Sequence, residues 1–164
     1  MAKGNNQKLK LLYLTKIFME KTDDSHALTL AEITAQLNAY EVTADRKTLY
    51  LDFEELKRYG LDIVSEQCGK TVVYYLASRQ FELAELKLLV DSVQSAKFIT
   101  EKKSNLLIKK LESLVSEHEA KQLHRQVITA GRVKTMNESI LINVDSIHAA
   151  INDNKQITFQ YFQW

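Results

Sequence analysis

The stretch from Leu28 to Gly60, LTLAEITAQLNAYEVTADRKTLYLDFEELKRYG, leaves few folds open. Thr29 and Glu32 stand three apart ahead of an apolar-periodic run. That spacing makes a capping box, in which hydroxyl and carboxylate each satisfy an N–H that a helix start leaves orphaned. Leu30, Ile33 and Leu37 then share one face. Thr43 is a good N-cap for a second helix, with Asp45 in the first turn, where the helix dipole favours an anion. Leu49, Phe53 and Leu56 form a stripe that can face the first helix. Gly60 ends the segment as the residue that tolerates a left-handed backbone. Two short helices joined by a tight turn give helix-turn-helix geometry.

At about 100° per residue, Thr43, Arg46, Lys47 and Tyr50 point away from the Leu49/Phe53/Leu56 stripe. The first half of this outward face is basic or neutral. The second half gathers Asp52, Glu54 and Glu55, which phosphates repel. A recognition helix enters the major groove by its N-terminal residues, so this polarity suits duplex binding. Helix-turn-helix pairs also serve as plain packing units, and a solvated face of mixed charge is the alternative.

The flanking segments extend the pattern. From Gln7 to Lys21 a helix is expected, with apolar residues (Leu9, Leu11, Leu12, Tyr13, Leu14, Ile17, Phe18) nearly all round it. Such a helix is usually buried on more than one side, here by the helix-turn-helix core and by later helices or a second subunit. Met1 to about Asn6 is expected to fray, and Thr22 to Ala27 reads as a polar loop. After Gly60, the β-prone runs Leu61–Ser65 and Thr71–Leu76 flank Glu66-Gln67-Cys68-Gly69-Lys70 and read as a hairpin. Three helices followed by a hairpin make a winged helix, with Lys70 at the wing tip in reach of a phosphate or simply keeping a turn soluble.

This segment resembles the DeoR-like winged helix-turn-helix at the N-terminus of bacterial WYL-domain transcriptional regulators. The similarity lies in TADRKTLYLDFEELKRYGLDI, preceded by LTLAEITAQL and followed by a Gly-Lys wing and VVYYL, over roughly residues 8 to 77. Asp45-Arg46-Lys47-Thr48, Tyr50, Asp52 and Tyr59-Gly60 carry it. The resemblance implies a recognition helix at about 43–59 in the major groove, with Arg46, Lys47, Thr48 and Tyr50 doing the reading and the 63–76 wing on the backbone.

Beyond Gln80 the chain turns helical. Phe81, Leu86, Leu89, Val90 and Val93 form an apolar face. Thr100 can cap a helix on which Leu107, Ile108, Leu111, Leu114 and Val115 recur. Ser116 and Glu119 form another capping box, starting a helix toward Leu123. The apolar inventory from Phe81 to Val115 can serve either a homodimer surface or a monomer's own core. Gln126 to Thr135 is mixed in character. Asn137 to Asn152 reads as a clean helix, with Ile140, Val144, Ile147 and Ile151 on one stripe. Gln156 to Trp164 then alternates like a β-strand, yet no partner strand follows. The chain is thus expected to stop inside a domain, the alternative being a complete short protein whose last strand pairs with another chain. Ala149-Ala150-Ile151 and Lys155 to Tyr161 are similar to the beginning of the WYL domain of the same regulators. That resemblance implies an effector domain almost wholly absent here, its ligand unidentified. Trp164 is not the Trp-Tyr-Leu motif itself.

Composition sets outer limits. The 164 residues, 45% hydrophobic and 26% charged, suit one or two globular domains. The lack of proline favours helices. Net charge is +1, and residues 1–79 hold eleven Lys/Arg against eleven Asp/Glu. Any nucleic-acid affinity must therefore come from local placement. No run approaches the roughly 20 apolar residues of a membrane span, and the N-terminus lacks a signal peptide's apolar core. The single Cys68 excludes an internal disulfide and fits a reducing cytoplasm. It reads as an exposed turn thiol. The four histidines lack metal-ligand spacing, and no phosphate-cradling glycine loop or G-x-S-x-G occurs, so no metal, cofactor or enzyme is expected.

The expectation is a mainly α (α+β) transcriptional regulator of double-stranded DNA. It has a winged helix at 6–78, a helical linker and dimerisation region at 79–135, and the first strand of a truncated C-terminal domain within 136–164. The expected DNA-binding set is Thr29, Thr43, Arg46, Lys47, Thr48, Tyr50, Arg58 and Lys70, with phosphate contacts from the second helix's N-terminus, Arg58 and Lys70. The competing class is a winged helix that binds a partner protein instead.

Overall fold

Leu14, Ile17 and Phe18 are buried on the N-terminal helix, whereas Leu12 is 66% exposed. The apolar run that starts the chain is therefore covered on one side and partly open on another. The computed structural model describes residues 6–127 and 134–160; the frayed start expected at residues 1–5 and most of the mixed segment at 126–135 lie outside them. One 3₁₀ turn at Gln7–Leu9 leads into α1 (Lys10–Lys21). Then come β1 (Leu28–Thr29), α2 (Leu30–Ala39) and α3 (Arg46–Tyr59). The hairpin strands β2 (Ile63–Cys68) and β3 (Thr71–Leu76) follow. Four helices complete the described chain: α4 (Leu83–Ser95), α5 (Glu101–Glu112), α6 (Glu117–Val127) and α7 (Ile140–Asn152). The fold is mixed α+β, helices with one small antiparallel sheet of order β1-β3-β2.

The expected capping box at Thr29 is present, with the Thr29 N–H and hydroxyl both donating to the Glu32 carboxylate and the Glu32 N–H donating back. The α3 start differs from expectation by two residues. Asp45, not Thr43, is the N-cap, its Oδ1 accepting from the Thr48 N–H at 3.0 Å. Thr43 instead accepts hydrogen bonds from Gln7 Nε2, on both its hydroxyl and its carbonyl, at 2.8 Å. A carboxylate is the stronger acceptor for an N-terminal N–H, and the α1 lead-in has claimed the threonine. Between the helices Glu41 takes a positive φ of 59°, which turns the chain so that Val42 drops fully into the core. Gly60 closes α3 at φ 114°, as expected.

The hairpin is longer and tighter than the sequence suggests. Residues 66–68, expected in the turn, continue the ladder as far as Cys68 opposite Thr71, leaving only Gly69 and Lys70 between the strands. Gly69, at φ 61°, supplies the positive φ such a two-residue turn requires. β1 is a pairing that no periodicity announced: Leu28 and Thr29 lie against Tyr74 and Val73.

Two apolar clusters result. The first joins Leu14, Ile17 and Phe18 of α1 to Ile33, Leu37, Leu49, Phe53 and Leu56, under Ile63, Tyr74 and Leu76 of the hairpin. Within it the Phe18 and Phe53 rings meet edge to face, at a centroid distance of 5.3 Å. The second packs Leu86 and Val90 of α4 with Ile108, Val115 and Leu123. Thr100 caps α5 and the Ser116/Glu119 box precedes α6, both as the sequence indicates.

The expected polar loop at 22–27 is a junction between the clusters. Thr22 is fully buried, accepts the Leu76 N–H on its hydroxyl, and offers its carbonyl to Arg79 Nη2. Asp23 bonds His26 Nδ1 at 2.7 Å and takes the Ser116 hydroxyl on its other oxygen. His26 stacks on His118 at 3.7 Å, and Lys21 pairs with Glu117. α1 therefore touches both the helix-turn-helix core and a later helix, as its apolar breadth suggested.

The far end departs further. α7 begins at Ile140 rather than Asn137 and buries no residue, with Ile142 at 69% and Ile151 at 64% exposed. The alternating segment expected to form a strand has none over residues 155–160, and its remainder, 161–164, lies outside the described residues. Alternation alone cannot make a strand where, among the described residues, no second strand offers it N–H and C=O groups.

Candidate nucleic-acid interface

α3 is held from behind by Leu49, Phe53 and Leu56, at 1%, 3% and 4% exposure, so its other side faces outward along its length. Arg46 and Lys47 are both exposed on the first turn. The acidic half is compensated: Asp52 takes Lys10 at 2.6 Å, Glu54 takes Lys57 at 3.0 Å and Glu55 takes Arg58 at 2.9 Å. Among the described residues, no carboxylate lies within ion-pair distance of Arg46, Lys47 or Lys70. Charge on this surface is thus sorted along the helix, uncompensated positive at the N-terminal end and paired at the C-terminal end.

A groove of about 670 Å³ runs between α2, the start of α3 and the hairpin turn. Thr29, Thr34, Asn38, Arg46, Tyr50 and Lys70 are among the residues lining it. The structure brings Thr29, Arg46, Tyr50 and Lys70 together on this groove, four of the eight residues the sequence singled out. Thr29 is there as a cap, with its hydroxyl committed to Glu32. Those same hydrogen bonds, the Thr29 N–H first, hold the Glu32 carboxyl below its ordinary range. Lys47 and Thr48 lie round the helix from the groove, and the Thr48 hydroxyl donates to the Asp45 carbonyl at 3.0 Å. Thr43 is tied to Gln7, and Arg58 sits at the distant helix end, paired with Glu55.

Tyr50 does not stand opposite the buried stripe; it leans to the flank, over the groove. Its hydroxyl oxygen accepts the Arg46 Nε–H at 3.0 Å. The hydrogen bond from Arg46 lowers the Tyr50 pKa. Burial pushes the Tyr74 hydroxyl up to about 12.

Two residues of this surface escaped the sequence reading. Leu51 is 68% exposed on the outward face beside Lys47; its signal was an apolar residue one position out of the stripe. Asn38 joins the groove from the end of α2, and only the packing of α2 on the hairpin reveals it.

Protein-family models, curated proteins and solved structures offer no match to this chain. What it does must be argued from this surface. No group of histidine, cysteine or carboxylate side chains that could hold a metal ion occurs among the described residues. No described helix is long and apolar enough to cross a membrane.

Proposed function

We propose that residues 6–78 form a winged helix-turn-helix that binds double-stranded DNA, within a bacterial transcriptional regulator of the DeoR-like, WYL-domain kind. The observation that carries this reading is the sorting of charge on α3: Arg46 and Lys47 uncompensated at its leading end, Lys70 across the groove, and every carboxylate of its trailing half paired. The order helix, short strand, two helices and hairpin, with a three-stranded sheet closing on α3, supports it. α3 enters the major groove by its first two turns, and the Gly69-Lys70 turn lies along the phosphate backbone. Lys47, Thr48 and the apolar Leu51 face base edges, where a thymine methyl is a natural contact for an aliphatic side chain. One such module reads only a few base pairs, so the regulator acts as a dimer on adjacent half-sites.

Duplex binding releases counterions, so log affinity falls with log salt at about 0.9 per phosphate neutralised. Titration of the purified chain onto duplex at increasing salt should show that slope, and Lys70→Ala should flatten it by about one. A second reading, docking of a partner protein, is favoured by the exposed Leu51 and Tyr59, at 68% and 82%. It predicts no duplex affinity at low salt.

A further inference from the structure

The two apolar clusters share no buried residue, and what joins them is largely polar. The Thr22–Ala27 loop meets the first turn of α6, and there the His26 and His118 rings lie face to face. Their centroids are 3.7 Å apart and their planes 3° from parallel. His26 Nδ1 is 2.7 Å from Asp23 Oδ1, and the Ser116 hydroxyl donates to the other Asp23 oxygen. Asp23 and Ser116 are buried, whereas the His26 side chain is 43% exposed, so solvent protons reach its ring.

An ionised carboxylate only accepts hydrogen bonds, so His26 Nδ1 carries the hydrogen and Nε2 is left to take a proton. Histidine is the side chain that ordinarily changes charge between about pH 5 and 8. A first proton belongs on His26, beside the carboxylate, because His118 lies in the first turn of α6, where the helix dipole disfavours a cation. One imidazolium against one neutral ring is an attractive stack. A second proton sets two like charges face to face across 3.7 Å, and they repel. The neighbouring charges do not answer it. Glu117 is held by Lys21 of α1 at 2.5 Å, Glu119 faces Arg79 at 3.8 Å, and Asp24 is exposed to screening water. Among the described residues, Asp23 is the carboxylate hydrogen-bonded to this pair, one negative charge against two positive.

We propose that the stacked His26 and His118 rings form an acid-sensitive latch between the α1–β3 module and α6. With at most one ring protonated the latch is closed; with both protonated it opens, and α6 leaves the loop while each apolar cluster stays folded. Mild acid thus frees the first module from the helices that follow it, before Asp23 itself gains a proton. The inference goes beyond duplex binding and does not rest on it.

The test is hydrogen exchange of the full chain read by mass spectrometry, each rate referred to the unprotected rate at the same pH. Between about pH 7 and about pH 5, protection at residues 22–27 and 116–119 should fall roughly tenfold, the scale on which two coupled sites oppose each other's protonation. Protection in β2 and β3 should hold, which separates opening of the junction from unfolding. His118→Phe keeps a flat ring against His26 and removes its charge. It should match wild type at neutral pH and stay closed in mild acid. Ring-proton NMR of wild type should show the two histidines titrating as a coupled pair. Unchanged protection of wild type in mild acid would overturn the latch, and so would independent titration of the two rings. An equal loss of protection in His118→Phe would overturn it too, by placing the acid response in other groups such as Asp23. Should His118→Phe already be open at neutral pH, the wild-type ring titration decides alone. No nucleic acid enters the test, so its outcome is separate from that of the duplex reading.

Discussion

Asp23 shows how much a single side chain can hold. Burial alone would raise its pKa, but hydrogen bonds from Ser116, His26 and the Ser25 N–H outweigh that and bring it below the ordinary 3.8. A carboxyl whose pKa is depressed on folding stabilises the folded state above its unfolded pKa, and that stability fades as pH falls through the folded value. Resistance to urea should thus drop on acidification below about pH 4, as Asp23 gains its proton. Asp23→Asn should show a smaller drop over the same window, from a lower starting stability at pH 7. Equal acid sensitivity in the two proteins would show that other carboxyls govern the acid limb. The Thr22–Ala27 hexapeptide carried no sign of this role, because hydrogen-bond partners some 93 residues apart in sequence leave no local pattern.

At the scale of elements, α3 is bounded by two residues whose contributions can be separated. Asp45→Ala removes the cap and should cost about 1 kcal/mol in chemical unfolding, while Thr43→Ala should cost clearly less. The reverse ranking would return the helix start to Thr43. Gly60→Ala meets no neighbouring atom within 4 Å, so its cost is backbone strain at φ 114° alone. About 1–2 kcal/mol is expected, read as a shift in urea midpoint at constant slope. The helix existed in the sequence as a stripe and a stop. Its first residue did not, since Thr43 and Asp45 are both good caps and the choice was made by Gln7, 36 residues away from Thr43.

Across the whole molecule, the apolar inventory after Phe81 divides between core and surface. Leu86, Val90, Ile108 and Val115 are buried with Leu123, whereas Leu88, Phe98 and Leu106 stay 70%, 49% and 50% exposed. If the second group is the dimer surface, Leu88→Glu should halve the mass seen by light scattering while leaving the thermal unfolding midpoint of the monomer near that of wild type. Leu86→Ala, by contrast, opens the core and should cost about 2–5 kcal/mol at any association state. An unchanged dimer in Leu88→Glu would place the interface elsewhere.

Local rules in the chain determined what neighbouring residues decide between themselves: the capping boxes at Thr29 and Ser116, the buried stripe of α3, the stop at Gly60 and the presence of a hairpin. Each rests on hydrogen bonds or helical periodicity spanning a few residues, so the sequence contains all the partners. Tertiary structure alone decided what depends on distant partners. It paired β1 with β3, made Thr22 and Asp23 a junction, turned Tyr50 toward a groove, and left residues 155–160 without a strand. A side chain's propensity fixes how its own backbone prefers to run, but which distant groups meet it is set by how the elements pack.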